Sequence, residues 1–167
     1  TSKDIVIDHP IPVADFSIDI SNPEPNEIIT FNNSSEFATS FSWDFGDGST
    51  SSEKNPVHSF VKVGDYGVSL SVSGEGGTNT ITKTISVSYR PPQANFSIDI
   101  SEAKNGDTIS FTNNSTGGDE YLWDFGDGST SSDKNPTHIY NLAGTFTVKL
   151  VVNGLGGSDE ATNTVKI

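Results

Sequence analysis

The sequence contains one unit twice, and this duplication constrains the fold more than any other feature. The stretch WDFGDGSTSSEKNP, from Trp43 to Pro56, returns as WDFGDGSTSSDKNP from Trp123 to Pro136. The same offset of about 80 residues relates the flanking stretches, so the 167 residues form two copies of about 75 residues each. One structural unit must therefore explain both halves. Each copy is near the lower size limit for a domain with its own hydrophobic core.

Apolar and polar residues alternate in several short runs of each copy, which indicates β-strands. Glycine-, asparagine- and proline-rich turns separate the runs, as in antiparallel sheets. The pattern predicts an all-β chain made of two antiparallel two-sheet sandwiches in tandem. The predicted inward positions of copy one are Ala14, Phe16, Ile18, Ile20, Ile29, Phe31, Phe41, Trp43, Phe45, Tyr66, Val68, Leu70, Val72, Ile81, Ile85 and Val87, and Lys83 interrupts the last run.

A short piece containing two prolines, SYRPPQ, lies between the copies. Consecutive prolines favour the extended polyproline conformation and make a semi-rigid spacer. We therefore expect an elongated arrangement with a leader at residues 1–12, a sandwich at 13–87, a linker at 88–93 and a sandwich at 94–167. Within the leader, Ile5 to Ile7 form a candidate strand for a sheet edge.

The chain is strongly acidic, with 22 Asp and Glu, nine Lys and Arg, and a formal net charge of -13. This balance argues against binding to nucleic acid or to an anionic membrane, because both require a basic surface. No apolar run approaches the 18 residues of a membrane span. The sequence also lacks methionine, so we expect a piece of a longer protein whose signal or anchor lies upstream.

Two aspartates in the repeated motif, Asp44 and Asp47, are candidates for chemistry. Catalysis by the pair is disfavoured, since alternation places Asp44 on the outer face of its strand and no cleft is evident. Calcium binding is the stronger alternative, with further oxygen ligands from Asn32 to Ser35. The three-residue spacing of the aspartates does not fit an EF-hand loop. The equivalent residues of copy two are Asp124, Asp127 and Thr112 to Ser115.

A structural interpretation explains more of the same motif. Trp43 shares the inward phase and is predicted to be the central core residue. Gly46 and Gly48 permit positive φ angles in a tight turn, and Asp47 can accept hydrogen bonds from nearby backbone amides. His58 follows an Asn-Pro turn without a nucleophile motif, which favours a packing or hydrogen-bonding role over a catalytic triad. The copy-two equivalents are Trp123, Gly126, Gly128 and His138.

The motif W-D-F-G-D-G, followed by N-P-x-H, an aromatic residue and G-x-aromatic, closely resembles the signature of PKD (polycystic kidney disease) domains. The resemblance extends from about Val13 to Ile167. It implies an immunoglobulin-like β-sandwich and an extracellular module beside catalytic or carbohydrate-binding domains. Some members of the family are reported to bind calcium, polysaccharide or collagen.

Two aromatic positions after the motif are exchanged between the copies. Copy one has Phe60 and Tyr66, whereas copy two has Tyr140 and Phe146. We hypothesise that the two rings pack side by side and that either hydroxyl reaches the same polar partner.

The favoured function is a non-catalytic spacer that positions a carbohydrate-binding or catalytic domain of a polysaccharide-processing protein. We expect a monomer without a cofactor, at a bacterial outer surface or secreted, with a lipoprotein anchor upstream as one possibility. One alternative is direct polysaccharide binding, for which Phe37 and Tyr89 are the aromatic residues predicted to be free to stack. The other alternative is an adhesion module stiffened by calcium.

Overall fold

The structure is a computed structural model that describes residues 8–167. Every regular element in this range is a β-strand, which confirms the all-β prediction, and no helix of this range is long and apolar enough to cross a membrane. Contacts divide the chain into two compact units, Thr1–Tyr89 and Arg90–Ile167. The candidate edge strand at Ile5 to Ile7 lies outside the described residues.

From residue 8 onwards, the first unit has seven antiparallel strands in two sheets. One sheet has the order β1-β2-β5 and the other the order β4-β3-β6-β7, so the two sheets form an immunoglobulin-like sandwich. The strands are β1 (Phe16–Ile18), β2 (Ile29–Asn33), β3 (Ser40–Asp44), β4 (Thr50–Ser51), β5 (Val57–His58), β6 (Gly64–Gly74) and β7 (Gly77–Val87).

The second unit repeats this topology. Its sheets have the orders β8-β9-β12 and β11-β10-β13-β14. The strands are β8 (Phe96–Ile98), β9 (Thr108–Asn113), β10 (Glu120–Asp124), β11 (Thr130–Ser131), β12 (Thr137–Ile139), β13 (Thr145–Gly154) and β14 (Gly157–Lys166).

A fully buried tryptophan lies at the centre of each core. The rings of Phe16 and Phe31 meet Trp43 edge-on, with centroids 5.1 and 5.6 Å away. The indole Nε1 donates a 2.9 Å hydrogen bond to the Glu53 carbonyl, so the buried polar atom of the ring is satisfied. Trp123 makes the equivalent bond to the Asp133 carbonyl. The alternation of the sequence thus identifies the faces that the two sheets bury against one another.

Lys83, which interrupts the inward phase of β7, has a specific set of contacts. Its Nζ atom lies 2.7 Å from Oδ1 of Asp15, donates to the Phe16 carbonyl, and sits over the Phe16 ring. These contacts satisfy the charge at the edge of the sandwich, where an inward-pointing lysine also discourages pairing with another strand. The second unit has Asn95 in place of Asp15 and Asn163 in place of Lys83. It therefore lacks both members of this ion pair.

Each unit begins with a leading segment that packs onto its own sheet before the first strand. In the first unit, Val13 bridges Glu36, and the Pro10 carbonyl lies where a Cβ atom at Gly76 would be. Residues 90–93 make the equivalent contacts in the second unit. Gln93 forms a β-bridge with Thr116, and the Arg90 carbonyl packs against Gly156, where it leaves no space for a Cβ atom. Residues 90–93 of the predicted linker therefore contact the second sandwich.

Candidate functional site

The repeated motif forms a tight turn after β3. Oδ1 of Asp44 accepts a 2.9 Å hydrogen bond from the Gly46 amide, and Oδ1 of Asp47 accepts one of the same length from the Ser49 amide. Gly46 and Gly48 have φ angles of 77° and 95°, in the region that favours glycine. Both carboxylates thus hold the backbone of the turn in place.

The histidine after the Asn-Pro turn joins this loop to the opposite sheet. His58 lies on β5, stacks on Phe45 with ring centroids 4.1 Å apart, and places Nε2 2.8 Å from Oδ2 of Asp47. Partial burial tends to raise the pKa of Asp47, but hydrogen bonds from Ser49 and His58 outweigh it and lower that pKa. The Asp47 carboxylate is therefore stabilised in its charged form.

The second unit repeats this pair and adds a serine. His138 places Nε2 2.8 Å from Oδ2 of Asp127 and 3.2 Å from Oγ of Ser129. In a catalytic triad the carboxylate and the serine contact different ring nitrogens, so that the carboxylate orients the imidazole and the other nitrogen takes the proton of the serine. Here both contact the same nitrogen. The cluster therefore lacks the geometry of a nucleophile–base pair and serves as a hydrogen-bonded support for the turn.

The exchanged aromatic residues pack as hypothesised, but their hydroxyls have different partners. Phe60 and Tyr66 stack with centroids 4.1 Å apart, and Tyr140 and Phe146 stack at 4.5 Å. Tyr140 is buried and donates a 2.9 Å hydrogen bond to the carbonyl of Phe125.

Tyr66 instead donates to the carbonyl of Lys62, at 2.9 Å and near solvent. The prediction of one shared partner is wrong, because the two hydroxyls stand at different positions of the stacked pair and reach different carbonyls.

Asp47 and the segment from Asn32 to Ser35, which were considered together for calcium, lie near opposite ends of strand β2. His58, which holds Asp47, pairs with Ile29 at the start of β2, whereas Asn33 ends that strand. Ile29 and Asn33 are four residues apart along the strand, which corresponds to about 13 Å. Among residues 8–167, no group of three or more His, Asp or Glu side chains is placed to hold a metal ion. The described contacts bring Asp47 to His58 and not to the segment from Asn32 to Ser35.

The aromatic candidates for polysaccharide binding also lie far apart. The Phe37 carbonyl packs beside Gly74, at the turn that joins β6 and β7. Tyr89 follows Val87, which pairs with Gly64 at the other end of this hairpin. Ten residues of strand correspond to about 33 Å. Both side chains are exposed, but they do not form one platform.

A small pocket surrounds Phe37, and most of its lining was not singled out from the sequence. It has a volume of about 290 Å³ and is lined by residues 9–10, 37–39 and 75–76. At its rim, Nδ1 of His9 lies 2.7 Å from Oε2 of Glu75. The pocket joins three distant segments, so local sequence patterns could not reveal it. The replacement of Phe37 by Gly117 in copy two was the available signal.

The two-sheet topology, the central tryptophan and the histidine that supports an Asp-Gly turn define a class of small immunoglobulin-like modules. The family model for the PKD domain matches residues 9–89 and 89–167. The chain therefore belongs to the PKD domain family and contains two such domains in tandem. Domains of this family are generally non-catalytic modules of longer chains.

Two relatives and one solved structure are similar to parts of this chain. The chain is 42% identical over 87 residues to a microbial collagenase of Vibrio alginolyticus, which covers 41% of this chain and 11% of that protein. It is 41% identical over 69 residues to collagenase ColA of Bacillus cereus, covering 41% of this chain and 6% of that protein.

The crystal structure of the PKD1 domain of Vibrio anguillarum Epp is 36% identical, with a TM-score of 0.42. The match covers 48% of this chain and 96% of that domain. For the two collagenases, in contrast, the matched part is only about a tenth or less of the protein's length.

Proposed function

We propose that the two domains are non-catalytic, extracellular parts of a longer chain and act as a stiff spacer for a catalytic or ligand-binding domain. The connection between them carries this proposal. The Ser88 amide donates a 3.1 Å hydrogen bond to the Pro23 carbonyl in the first unit. Arg90 already packs against Gly156 in the second unit. Tyr89 is the one residue between these two anchors, so the connection is short, as a spacer requires.

The relatives suggest which kind of domain is positioned. Both are named as collagenases, and the part that matches this chain is a small share of each. We therefore favour a neighbouring domain that acts on protein over one that processes polysaccharide. Since collagen is an extracellular protein, we also favour a location outside the cell. The upstream lipoprotein anchor expected from the sequence receives no support from these relatives.

The stiffness of the connection can be measured directly by ¹⁵N relaxation of the two-domain chain. We expect both units to report one overall rotational correlation time. Insertion of six Gly and Ser residues between Tyr89 and Arg90 should give each unit a shorter correlation time of its own. Independent tumbling of the two units in the natural sequence would contradict the spacer proposal.

A further inference from the structure

We propose that the pocket around Phe37 binds the guanidinium group of an arginine side chain on a partner protein. The pocket lies entirely within the first unit and joins three of its segments: the leading segment at residues 9–10, the β2–β3 loop at 37–39, and the β6–β7 turn at 75–76. Its volume of about 290 Å³ is at the lower limit of small-molecule sites, which suits one side chain better than a larger ligand.

The backbone of Phe37 is the first observation that points to a ligand. Its φ angle is 56°, a region that bulky side chains rarely adopt, and 57% of the residue is exposed. Such a conformation is energetically unfavourable for a residue with a Cβ atom. An exposed ring gains little from packing within the unit to offset this cost. At the same backbone position the second unit has Gly117, with a φ angle of 76°, so the fold itself does not require an aromatic residue.

The scaffold holds this strained residue firmly. The Glu36 amide donates to the Val13 carbonyl at 2.9 Å, and the Thr39 amide donates to the Ser73 carbonyl at 2.8 Å. The Phe37 carbonyl packs closely over Gly74, where a Cβ atom would lie 2.1 Å from it. The backbone that carries the ring is thus held in a fixed place on the surface before any partner arrives, which lowers the entropic cost of binding.

The same scaffold hydrogen bonds occur in the second unit. The Thr116 amide donates to the Gln93 carbonyl at 3.0 Å, and the Asp119 amide donates to the Asn153 carbonyl at 3.1 Å. The backbone of this loop is therefore shared, whereas the side chains over it are not. Gly117 and Leu155 stand where the first unit has Phe37 and Glu75, so the second unit lacks both the aromatic face and the carboxylate. We expect one site per chain.

The chemistry of the lining selects an arginine. The exposed ring of Phe37 offers a π face to a cation, and the exposed carboxylate of Glu75 offers a charged acceptor at the same pocket. Guanidinium is planar, stacks on aromatic rings and pairs with carboxylates in a fixed geometry, whereas ammonium acts as a point charge. His9, 2.7 Å from Glu75, holds the carboxylate at the rim. The formal net charge of -13 also favours a cationic partner over an anionic one.

The test is an NMR titration of the two-domain chain with acetyl-Gly-Arg-Gly-amide. Its matched controls are the citrulline peptide, which is similar in shape but uncharged, and the lysine peptide. We expect the arginine peptide to shift the amide signals of Phe37, Ala38 and Gly76, and not that of Gly117. The citrulline peptide should bind at least about fivefold more weakly, as expected for the loss of an exposed cation–π contact and ion pair.

Two variants separate binding from folding. Phe37→Gly copies the residue of the second unit and removes the backbone strain, so it should fold normally and bind the arginine peptide at least about fivefold more weakly. Glu75→Gln should weaken arginine binding while leaving the citrulline peptide unaffected. Equal binding of arginine and citrulline, or of arginine and lysine, would overturn the proposal. So would a response of these amides to cellohexaose without one to the arginine peptide, since it would assign the pocket to a neutral glycan.

Discussion

Nε2 of His58 lies 2.8 Å from Oδ2 of Asp47 and thereby connects the turn after β3 to strand β5 of the other sheet. His138 and Asp127 make the same connection in the second unit. The two sheets of each sandwich otherwise meet mainly through apolar side chains. This pair therefore adds a polar contact across the sandwich whose strength depends on pH.

The pH dependence of stability follows from the aspartates of these pairs. Partial burial tends to raise the pKa of Asp127, but Ser129 and His138 outweigh it and lower the pKa to about 2. A carboxyl group with a lowered folded-state pKa stabilises the fold above its unfolded value of about 3.9, and this contribution is lost as the pH falls towards 2. We expect Asp127 to contribute about 1–2 kcal/mol above pH 5 after solvent screening.

Thermal melts between pH 2 and pH 6 would measure this contribution. Asp127→Asn should lower the melting temperature at pH 6 and reduce the difference between pH 6 and pH 2. Other aspartates with a lowered pKa, such as Asp19 and Asp99, should preserve part of the slope. A variant with the same pH dependence as the natural sequence would show that Asp127 is not responsible.

The hydroxyl of Tyr140 should matter more for stability than that of Tyr66. Tyr140 is 1% exposed and satisfies the Phe125 carbonyl, so Tyr140→Phe should reduce the free energy of unfolding by about 1–2 kcal/mol. Tyr66→Phe is the matched control and should cost less than about 0.5 kcal/mol, because its hydrogen bond to Lys62 is exposed to water. Urea unfolding of both variants measures the difference, and equal losses would contradict the assignment.

The two glycines of the turn should respond differently to alanine. A Cβ atom at Gly46 would lie 2.9 Å from the Gly67 carbonyl oxygen, whereas one at Gly48 meets nothing within 4 Å. Both positions have a positive φ angle, so each alanine should cost about 1 kcal/mol in backbone strain. Gly46→Ala should cost about 1–3 kcal/mol more from overpacking against the backbone. Denaturant unfolding would show equal costs if this contact were unimportant.

Removal of divalent cations should leave the melting temperature unchanged. Oδ1 of Asp44 and both carboxylate oxygens of Asp47 already accept hydrogen bonds from the turn or from His58. A calcium ion would compete with these hydrogen bonds for the lone pairs of the carboxylates. Melting in EDTA, in calcium and in magnesium at equal ionic strength tests this. A midpoint raised by calcium alone would instead favour the calcium-stiffened adhesion module.

The sequence predicted the sandwiches because alternation reports directly which face of a strand is buried. Trp43 illustrates this, since its inward phase leads to a fully buried side chain. The interruption at Lys83 was visible as well, but its contact with Asp15 depends on how β7 passes the start of β1. Partners of this kind depend on tertiary geometry and could not be predicted from periodicity.

The candidate sites were harder to predict for the same reason. Asp47 and His58 are 11 residues apart, and their hydrogen bond requires the turn and β5 to meet across the two sheets. The pocket around Phe37 requires three segments to converge, so the sequence suggested an exposed aromatic residue but neither His9 nor Glu75 beside it. The copies themselves supplied the most useful comparison, because a difference between them marks a side chain that the fold does not need.

The leading segment also determines where one repeat ends and the next begins. Residues 90–93 pack on the second sandwich as residues 10–13 pack on the first. Each repeat of the duplicated sequence therefore includes its own connecting segment. A further in-frame duplication of about 80 residues would add a domain together with the segment that seats it. Such an array could lengthen in evolution by unequal crossing-over alone, without the separate invention of a connector.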